Sequence, residues 1–230
     1  MAVCYETWTV NPNKPIEKLD DRLWKVEGQL GKVQRTMAIA RLDDGRLLLH
    51  NAIALDEAGM AAIDAWGEVA AILIPNAFHR MDARIMAARY PKAKVYAPAG
   101  AAKDAAKATP VAGSYADCPQ DARVRVRHLP GIGEREGVVE VEGSGGLSIV
   151  MNDMLVNIEK QKAPMEWFLG PTGQVAIPRF ARWLWARDKA ALKADLQRIA
   201  DAGPVRLIPG HGVDLVGDVA TQLRPALDLL

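Results

Sequence analysis

Cysteine is scarce in this chain of 230 residues, and long apolar runs are absent. Only two cysteines occur, Cys4 and Cys118, and thiols so far apart form neither a zinc-ribbon pattern nor a disulfide framework. We therefore expect the reducing cytoplasm as the location. No stretch is long and apolar enough to span a bilayer, so we expect no transmembrane helix and no membrane partner. Residues 1–13 contain Glu6 and other polar residues where a secretory signal would be apolar, so we expect no export.

An excess of charge of either sign is also lacking. The chain has 29 Lys and Arg against 28 Asp and Glu, a net charge of +1, which argues against nucleic acid or a membrane surface as partner. Half of the residues are hydrophobic and a quarter are charged, a composition typical of a folded globular protein. The length fits one large domain or two small ones, no Gly/Ser linker interrupts the chain, and we predict a single domain over residues 1–230.

Two regions rich in strand-forming residues alternate with helical patterns. Strands are predicted over residues 24–27, 36–42, 47–50, 69–74, 94–97, 124–128, 138–141, 147–151 and 205–208. Helices are predicted after Asp56, over 81–89 and 99–108, then as two helices of which the second begins near Asp188, and finally around Val219, Leu223 and Leu227. Two sheets packed together, with helices on their outer faces, satisfy this order.

Two polar side chains follow the predicted buried strand over residues 69–74. His79 and Asp82 lie three positions apart and share one face if the next helix has already started there. The ends of buried strands are where α/β proteins place binding and catalytic residues. The structural alternative is that His79 caps the helix and Asp82 complements its N-terminal dipole.

Asp153 and His211 follow two further predicted strands. Asp153 continues the inward face of residues 147–151, and an inward carboxylate needs a cation or several donors to offset its lost hydration. A ligand or catalytic role and a hydrogen bond to a neighbouring loop both remain open for it. His211 lies between Gly210 and Gly212, which let the backbone bend tightly and let another group approach the imidazole. Histidine is the commonest metal ligand and titrates near neutral pH.

These segments occur in the order found in the metallo-β-lactamase superfamily. The resemblance extends from about Leu47 to Gly212 and is carried by Ile74-Pro75-Asn76-Ala77-Phe78-His79, Asn152-Asp153-Met154-Leu155 and Ile208-Pro209-Gly210-His211-Gly212. The chain resembles a bacterial branch in which the first histidine motif is reduced. The resemblance implies an α/β (α+β) fold, an αββα four-layer sandwich. It also implies one or two metal ions, usually zinc, between the sheet edges, and hydrolysis of esters, amides, thioesters or phosphodiesters.

The chain departs from the superfamily at the first metal-binding signature, His-x-His-x-Asp-His. Aligned on the strand end, its four positions are occupied by Asn76, Phe78, Arg80 and Met81. Ile132 stands where the next family histidine follows a Pro-Gly turn. Asp153 is similar to the bridging aspartate of the family and His211 to its last histidine, and His79 and Asp82 partly substitute for the lost residues.

Three residues at most are therefore available as metal ligands, namely His79, Asp153 and His211. Zinc catalysis generally uses three protein ligands and an open position for water. The first hypothesis is a hydrolase with at most one ion, Zn²⁺ or Fe²⁺, whose bound water attacks a small ester, amide or phosphoester. In it Asp82, Asp153 and His211 are catalytic, with Asp82 orienting the water or a ligand histidine.

The second hypothesis is a catalytically inactive, metal-free protein that binds a small molecule on the same fold. Its cleft would keep a pocket and a basic rim for a small anionic ligand, and Asp153 and His211 would hydrogen-bond to each other. A third hypothesis is hydrolysis by a His–Asp pair without metal. Cys118 is too isolated to serve as the nucleophile, and no Gly-x-Ser-x-Gly elbow is present.

Aromatic side chains concentrate in residues 165–185, which include Trp167, Trp183 and Trp185. One interpretation makes this segment a lid over the cleft or a homodimer contact, because aromatic residues are enriched at interfaces. The other interpretation places these side chains in the core, and their helix-like spacing favours it.

Overall fold

The computed structural model describes residues 4–31 and 33–230 of the chain. Residues 1–3, at the start of the segment for which we predict no secretory signal, lie outside the described residues. Two β-sheets face each other and helices cover their outer faces, which confirms the predicted four-layer αββα sandwich. No helix in the described ranges is long and apolar enough to cross a membrane. The single domain over residues 1–230 stays a prediction.

The first sheet has six strands in the order β1-β2-β3-β4-β5-β6. They span Glu17–Lys18 (β1), Leu23–Leu30 (β2), Val33–Arg41 (β3), Leu47–His50 (β4), Val69–Leu73 (β5) and Lys94–Tyr96 (β6). Neighbours from β1 to β4 are antiparallel, whereas β4, β5 and β6 are parallel. The parallel strands are buried and apolar, as expected where helices cover one face and a second sheet the other.

The second sheet has five strands in the order β13-β11-β9-β8-β7. They span Val124–His128 (β7), Gly137–Gly143 (β8), Gly146–Val150 (β9), Arg206–Ile208 (β11) and Leu215–Val216 (β13). A separate parallel pair joins Val156–Asn157 (β10) to His211–Gly212 (β12). The sequence analysis predicts no strand at His211, because strands of two residues are too short to show a hydrophobic period.

Seven α-helices lie within the described residues. They span Glu57–Trp66 (α1), Ala83–Arg89 (α2), Ala102–Ala105 (α3), Met165–Leu169 (α4), Arg179–Leu184 (α5), Lys189–Asp201 (α6) and Val219–Leu227 (α7). Asp56 caps α1 as predicted, because its carboxylate accepts from the Gly59 N–H. The sequence predicts two helices before β11, whereas the structure has three, α4, α5 and α6. The helix predicted over 99–108 is a 3-10 turn, Ala99–Ala101, followed by the single turn of α3.

Three apolar clusters hold the layers together. One lies between the first sheet and its helices, where Met60 and Ile63 of α1 pack with Ile39 and Leu49. The second lies between the two sheets, and the third packs the second sheet against α5, α6 and α7. Burial of this apolar surface is the main stabilising contribution, about 25 cal/mol for each Å² removed from water.

The aromatic segment over residues 165–185 divides between core and surface. Trp185 is buried, as core packing predicts, but 61% of Trp167 and 65% of Trp183 is exposed. The expectation that the whole segment packs in the core is therefore wrong. Helices α4 and α5 are too short to present a full apolar stripe to the sheet, so their outward aromatic residues stay in solvent.

Candidate metal centre

His79, Asp153 and His211 meet at one edge of the sandwich. His79 follows β5, Asp153 follows β9 and His211 forms β12 just after β11. Because β9 and β11 are parallel neighbours, their carboxyl ends bring Asp153 and His211 to the same edge. The ligand atoms of the three side chains lie within 4.8 Å of one another. The predicted convergence of three strand ends is therefore present in the structure.

The converging atoms of this triad are two imidazole nitrogens and one carboxylate oxygen. Asp153 Oδ1 lies 3.0 Å from His79 Nε2 and 3.1 Å from His211 Nε2. The two Nε2 atoms are 3.2 Å apart. All three side chains are at least largely buried, so the atoms converge on a point that is mostly screened from water.

Hydrogen bonds at the far side of each imidazole fix its tautomer. His211 Nδ1 faces the carbonyl oxygen of Gln34, which can only accept, so Nδ1 carries the proton. His79 Nδ1 lies 3.2 Å from Asn51 Oδ1. Asn51 is oriented by its Nδ2, which donates to the Thr36 carbonyl at 2.9 Å, so its Oδ1 is the acceptor and His79 Nδ1 is also the donor.

The neutral forms of both histidines thus present Nε2 lone pairs to the same carboxylate oxygen. Three acceptors without a proton among them repel one another at 3.0 to 3.2 Å. Either a proton or a cation must lie among these atoms. Imidazole nitrogen and carboxylate oxygen are ligands that Zn²⁺ and Fe²⁺ both accept, in three-residue sets that leave coordination positions open.

Asp153 is held in place by amide groups that the sequence analysis did not assign to the site. Asn76 Nδ2 donates to Asp153 Oδ2 at 2.9 Å, and Asn152 Nδ2 lies 3.2 Å from Oδ1. Asn76 therefore orients the carboxylate of Asp153 through its side-chain amide. Its Oδ1 accepts from the Phe78 and His79 N–H groups, which orients the whole loop.

A fully buried carboxylate, Glu136, lies directly behind the triad. Its oxygens accept from the backbone N–H groups of Asn152, Asp153 and Met154 at 2.9, 2.8 and 3.1 Å. Burial, with the charge of Asp153 adding to it, raises the pKa of Glu136. Glu136 therefore clamps the backbone that carries Asp153, and no sequence pattern indicates this role.

The electrostatics of the triad favour an ionised aspartate. Burial opposes ionisation of Asp153, but His79 and His211 hold the pKa of its carboxyl well below the usual range. Burial likewise opposes protonation of His211, yet the hydrogen bond and charge of Asp153 raise the pKa of this imidazole. In the protein without metal, the carboxylate of Asp153 therefore favours the protonated form of His211.

The glycines beside His211 are required by close packing, as the sequence predicts. A Cβ at Gly210 would lie 2.3 Å from Asn152 Oδ1, and one at Gly212 would lie 2.1 Å from the Asn157 carbonyl oxygen. Gly212 also has φ +95°, which disfavours other residues. The Gly210 carbonyl accepts from the Thr36 N–H at 3.1 Å, so this segment joins the first sheet and aims His211 inward.

Asp82 is not brought together with the triad. The helix predicted from Met81 begins at Ala83, so His79 and Asp82 do not share a helical face. The carboxylate of Asp82 accepts from Arg35 Nη1 and from the Ala54 N–H, which occupies both of its oxygens. Its catalytic role stays a prediction, and the contacts within the described residues are those of a buried ion pair.

Arg80 and Arg84, which lie close to His79 in the sequence, do not present their charges to the triad. Arg80 Nη1 donates to the Asp104 carbonyl. Arg84 donates to the Ala108 carbonyl and pairs with Glu6. The triad therefore has no guanidinium among its hydrogen-bond partners within the described residues.

Comparisons with known proteins support the fold. No protein-family model matches the chain, and no curated protein matches it. Two solved structures of the DIM-1 metallo-β-lactamase, one exposed to ceftazidime, superpose with TM-scores of 0.64 and 0.63. They share 14% and 12% sequence identity, and each alignment covers 96% of this chain and 99% of the other. The chain therefore has the metallo-β-lactamase fold, and at this identity the likeness extends to the fold alone.

Proposed function

We propose that the protein is a hydrolase that works with one metal ion, Zn²⁺ or Fe²⁺, held by His79, Asp153 and His211. The observation that carries this proposal is the convergence of two Nε2 lone pairs and one carboxylate oxygen, with both tautomers set by Asn51 and Gln34. The substrate would be a small ester, amide or phosphoester.

The residues of the chain have separate tasks in this proposal. In their neutral forms, His79 and His211 supply Nε2 lone pairs, because each Nδ1 carries the proton. The His79 Nδ1 donates to Asn51 and the His211 Nδ1 to the Gln34 carbonyl. Asp153 supplies the negative charge, and Asn76 and Asn152 keep its oxygens oriented. A metal ion held by these residues would lower the pKa of a bound water to about 7 and would polarise a carbonyl or phosphoryl oxygen.

The single-metal character follows from the residues at the altered signature. Phe78 offers no ligand atom, Arg80 is turned to Asp104, and Asn76 donates to Asp153. Within the described ranges, His79, Asp153 and His211 are the one group of three ligand side chains close enough to share an ion. A second ion would therefore lack protein ligands.

The test is metal binding to the purified full-length chain. We expect about one equivalent of Zn²⁺ or Fe²⁺ by elemental analysis, and a Co²⁺ complex with visible absorption bands that Zn²⁺ displaces. His79→Gln should lose both signals. His128→Gln is the matched control, because His128 lies outside the triad and accepts from the Ala99 N–H.

Hydrolysis is then measured on p-nitrophenyl acetate and bis(p-nitrophenyl) phosphate. We expect turnover that chelation removes, that metal restores and that His79→Gln lacks. Stoichiometric metal without turnover would reduce the proposal to a metal-binding protein. Full stability and no metal uptake in the wild-type protein would contradict it and leave a metal-free binding protein with a protonated triad.

A further inference from the structure

Helices α4 and α5 expose a concentrated group of large apolar side chains. Five of the twelve large apolar residues that are exposed in the described part of the chain lie in these two short helices. We call these five residues the aromatic surface, and they are Met165, Trp167, Phe168, Trp183 and Leu184. Single exposed apolar residues are common on any protein, whereas a contiguous patch marks a surface that contacts a partner.

Two indole rings and a positive charge lie side by side on this surface. Trp167 of α4 and Trp183 of α5 are in edge-to-face contact, with ring centroids 6.3 Å apart. The guanidinium of Arg179 lies 5.9 Å from the centroid of each indole ring, and its Nη1 donates to the Trp167 carbonyl at 2.8 Å. These cation–π contacts hold the arginine beside the rings. The two helices therefore present one patch that is both aromatic and basic.

Charge is unevenly distributed along the chain, although its total is nearly zero. Residues 158–189, from the end of β10 to the start of α6, have six Lys or Arg and three Asp or Glu, a net charge of +3. Since the whole chain carries +1, the remaining residues together carry −2. Glu166, the one acidic residue of α4 and α5, is paired with Lys160 at 2.8 Å. The even total charge, which argues against a membrane partner, therefore does not describe the aromatic surface.

We propose that the aromatic surface docks on an anionic lipid bilayer. Tryptophan rings favour the headgroup level of a bilayer, which accommodates both their apolar body and their indole N–H. Arg179 and Arg182 pair with lipid phosphates at the same level. The contact is peripheral, because α4 and α5 have only five and six residues and no helix in the described ranges could cross a membrane.

The positive charge favours a lipid surface over a second copy of the chain. In a two-fold dimer the same patch meets itself. Arg179 and Arg182 would then approach their own counterparts, and Glu166, the one carboxylate on α4 and α5, is engaged by Lys160. A bilayer that contains phosphatidylglycerol supplies the negative charge that this patch lacks.

Packed rings join the aromatic surface to a cavity beside the triad. Phe168 stacks on Phe180 at 5.3 Å, Phe180 contacts Trp185 at 5.6 Å, and Trp185 stacks on Phe78 at 5.9 Å between ring centroids. Phe78 lines a cavity of about 200 Å³ that His79 and His211 also line. Docking of the aromatic surface therefore holds this cavity a few packed rings away from the lipid layer.

The test is co-sedimentation of the full-length protein with lipid vesicles. One set of vesicles contains equal parts of phosphatidylglycerol and phosphatidylcholine, and the other contains phosphatidylcholine alone. We expect at least tenfold tighter binding to the anionic vesicles, and we expect this binding to weaken as salt screens the arginines. Chelation should not change it, because the aromatic surface does not include the triad, so this proposal and the proposed function can fail separately.

Two double variants separate the rings from the charge. Trp167→Ala with Trp183→Ala should weaken binding to the anionic vesicles at least tenfold with little change in melting temperature, because both indoles are exposed. Arg179→Gln with Arg182→Gln should weaken it at least fivefold. Lys92→Gln with Lys94→Gln is the matched control. It removes the same charge from two exposed residues at β6 of the first sheet, and binding should change less than twofold.

Three results would overturn the proposal. The first is that the wild-type protein does not sediment with the anionic vesicles, or that the tryptophan variant binds them equally well. The second is a wild-type dimer in analytical ultracentrifugation that the tryptophan variant converts to a monomer, which would assign the surface to a second copy. The third is binding to soluble poly-glutamate as tight as to the vesicles, which would assign it to an acidic protein.

Discussion

Two buried carboxylates of the second half of the chain, Glu140 and Asp153, have opposite surroundings. Glu140 accepts hydrogen bonds from three guanidinium groups, those of Arg125, Arg127 and Arg198, at 2.8 to 3.1 Å. Asp153 is surrounded by two imidazoles and two side-chain amides. Both are charged and almost inaccessible to water.

The difference lies in whether the neighbouring charge can be removed. Guanidinium groups stay protonated, so Glu140 is permanently neutralised by its partners and has no lone pair left for a metal. An imidazole, unlike a guanidinium, can give up its proton, and Asp153 then needs another cation. A carboxylate surrounded by arginine therefore stabilises the fold, whereas one surrounded by histidine is suited to bind a metal.

The largest effect is expected from Asp153→Asn. The substitution removes the negative charge but keeps the volume, so the triad loses its only anionic ligand. Metal content should fall from about one equivalent to the trace level, and activity should fall by more than the 10- to 100-fold that loss of a ligand's hydrogen-bond partner costs. Elemental analysis and turnover measure the two effects. Metal retained at one equivalent would contradict the triad.

Glu140→Gln should affect stability and leave the metal unchanged. Removing one partner of a buried ion pair costs about 3–5 kcal/mol, and we expect about 2–3 kcal/mol here because the arginines are partly exposed. Denaturant unfolding measures this loss, and a Tm lower by about 5–10 °C should accompany it. If this variant loses metal while its secondary structure is unchanged, the conclusion that Glu140 has only a stabilising role is contradicted.

Asn51→Gly tests the tautomer of His79. Asn51 has φ +54°, which glycine also adopts, so the backbone should tolerate the change while the Nδ1 partner of His79 disappears. We expect metal affinity to fall by about 10- to 100-fold. Asn51→Asp keeps an acceptor for Nδ1 and should retain more of the affinity. Equal affinities for the two variants would contradict a role of Asn51 in orienting His79, and metal competition titrations measure them.

The smallest effect concerns acid stability. Burial opposes ionisation of Glu140, but hydrogen bonds from Arg127 and Arg198 lower its pKa to about 2. A carboxyl with a lowered pKa in the folded state stabilises the protein above its unfolded pKa, and this contribution disappears as the pH falls. Between about pH 4.5 and 2, the wild-type protein should therefore lose about 1 kcal/mol per pH unit more than Glu140→Gln. If the free energy of unfolding falls equally with pH in the two proteins over this range, the prediction is contradicted.

The sequence predicts the layers from the order of its apolar patterns, and it predicts the triad from polar residues at strand ends. Apolar runs identify β5, β9 and β11, and the polar residues just after them, His79, Asp153 and His211, meet where parallel strands end together. The hydrogen-bond partners of the triad could not be predicted. Asn51, Gln34 and Glu136 approach the triad through the packing of different elements, and no local pattern records such contacts.

Asp82 and the aromatic segment over residues 165–185 also show that a local sequence pattern does not determine the role of a residue. Asp82 has the spacing of a site residue, but its carboxylate forms an ion pair with the buried Arg35 of β3. Trp167 and Trp183 have helical spacing typical of a core, but the helices that carry them are too short to be covered. In both cases a distant part of the chain decides the role of the residue.

The clamp formed by Glu136 has a consequence for how an ion would enter. The backbone N–H groups of Asn152, Asp153 and Met154 all donate hydrogen bonds to Glu136. The position of Asp153 is therefore preorganised before any ion binds. Little ordering entropy is then lost on association, so uptake should be fast and should leave amide exchange rates in this loop nearly unchanged.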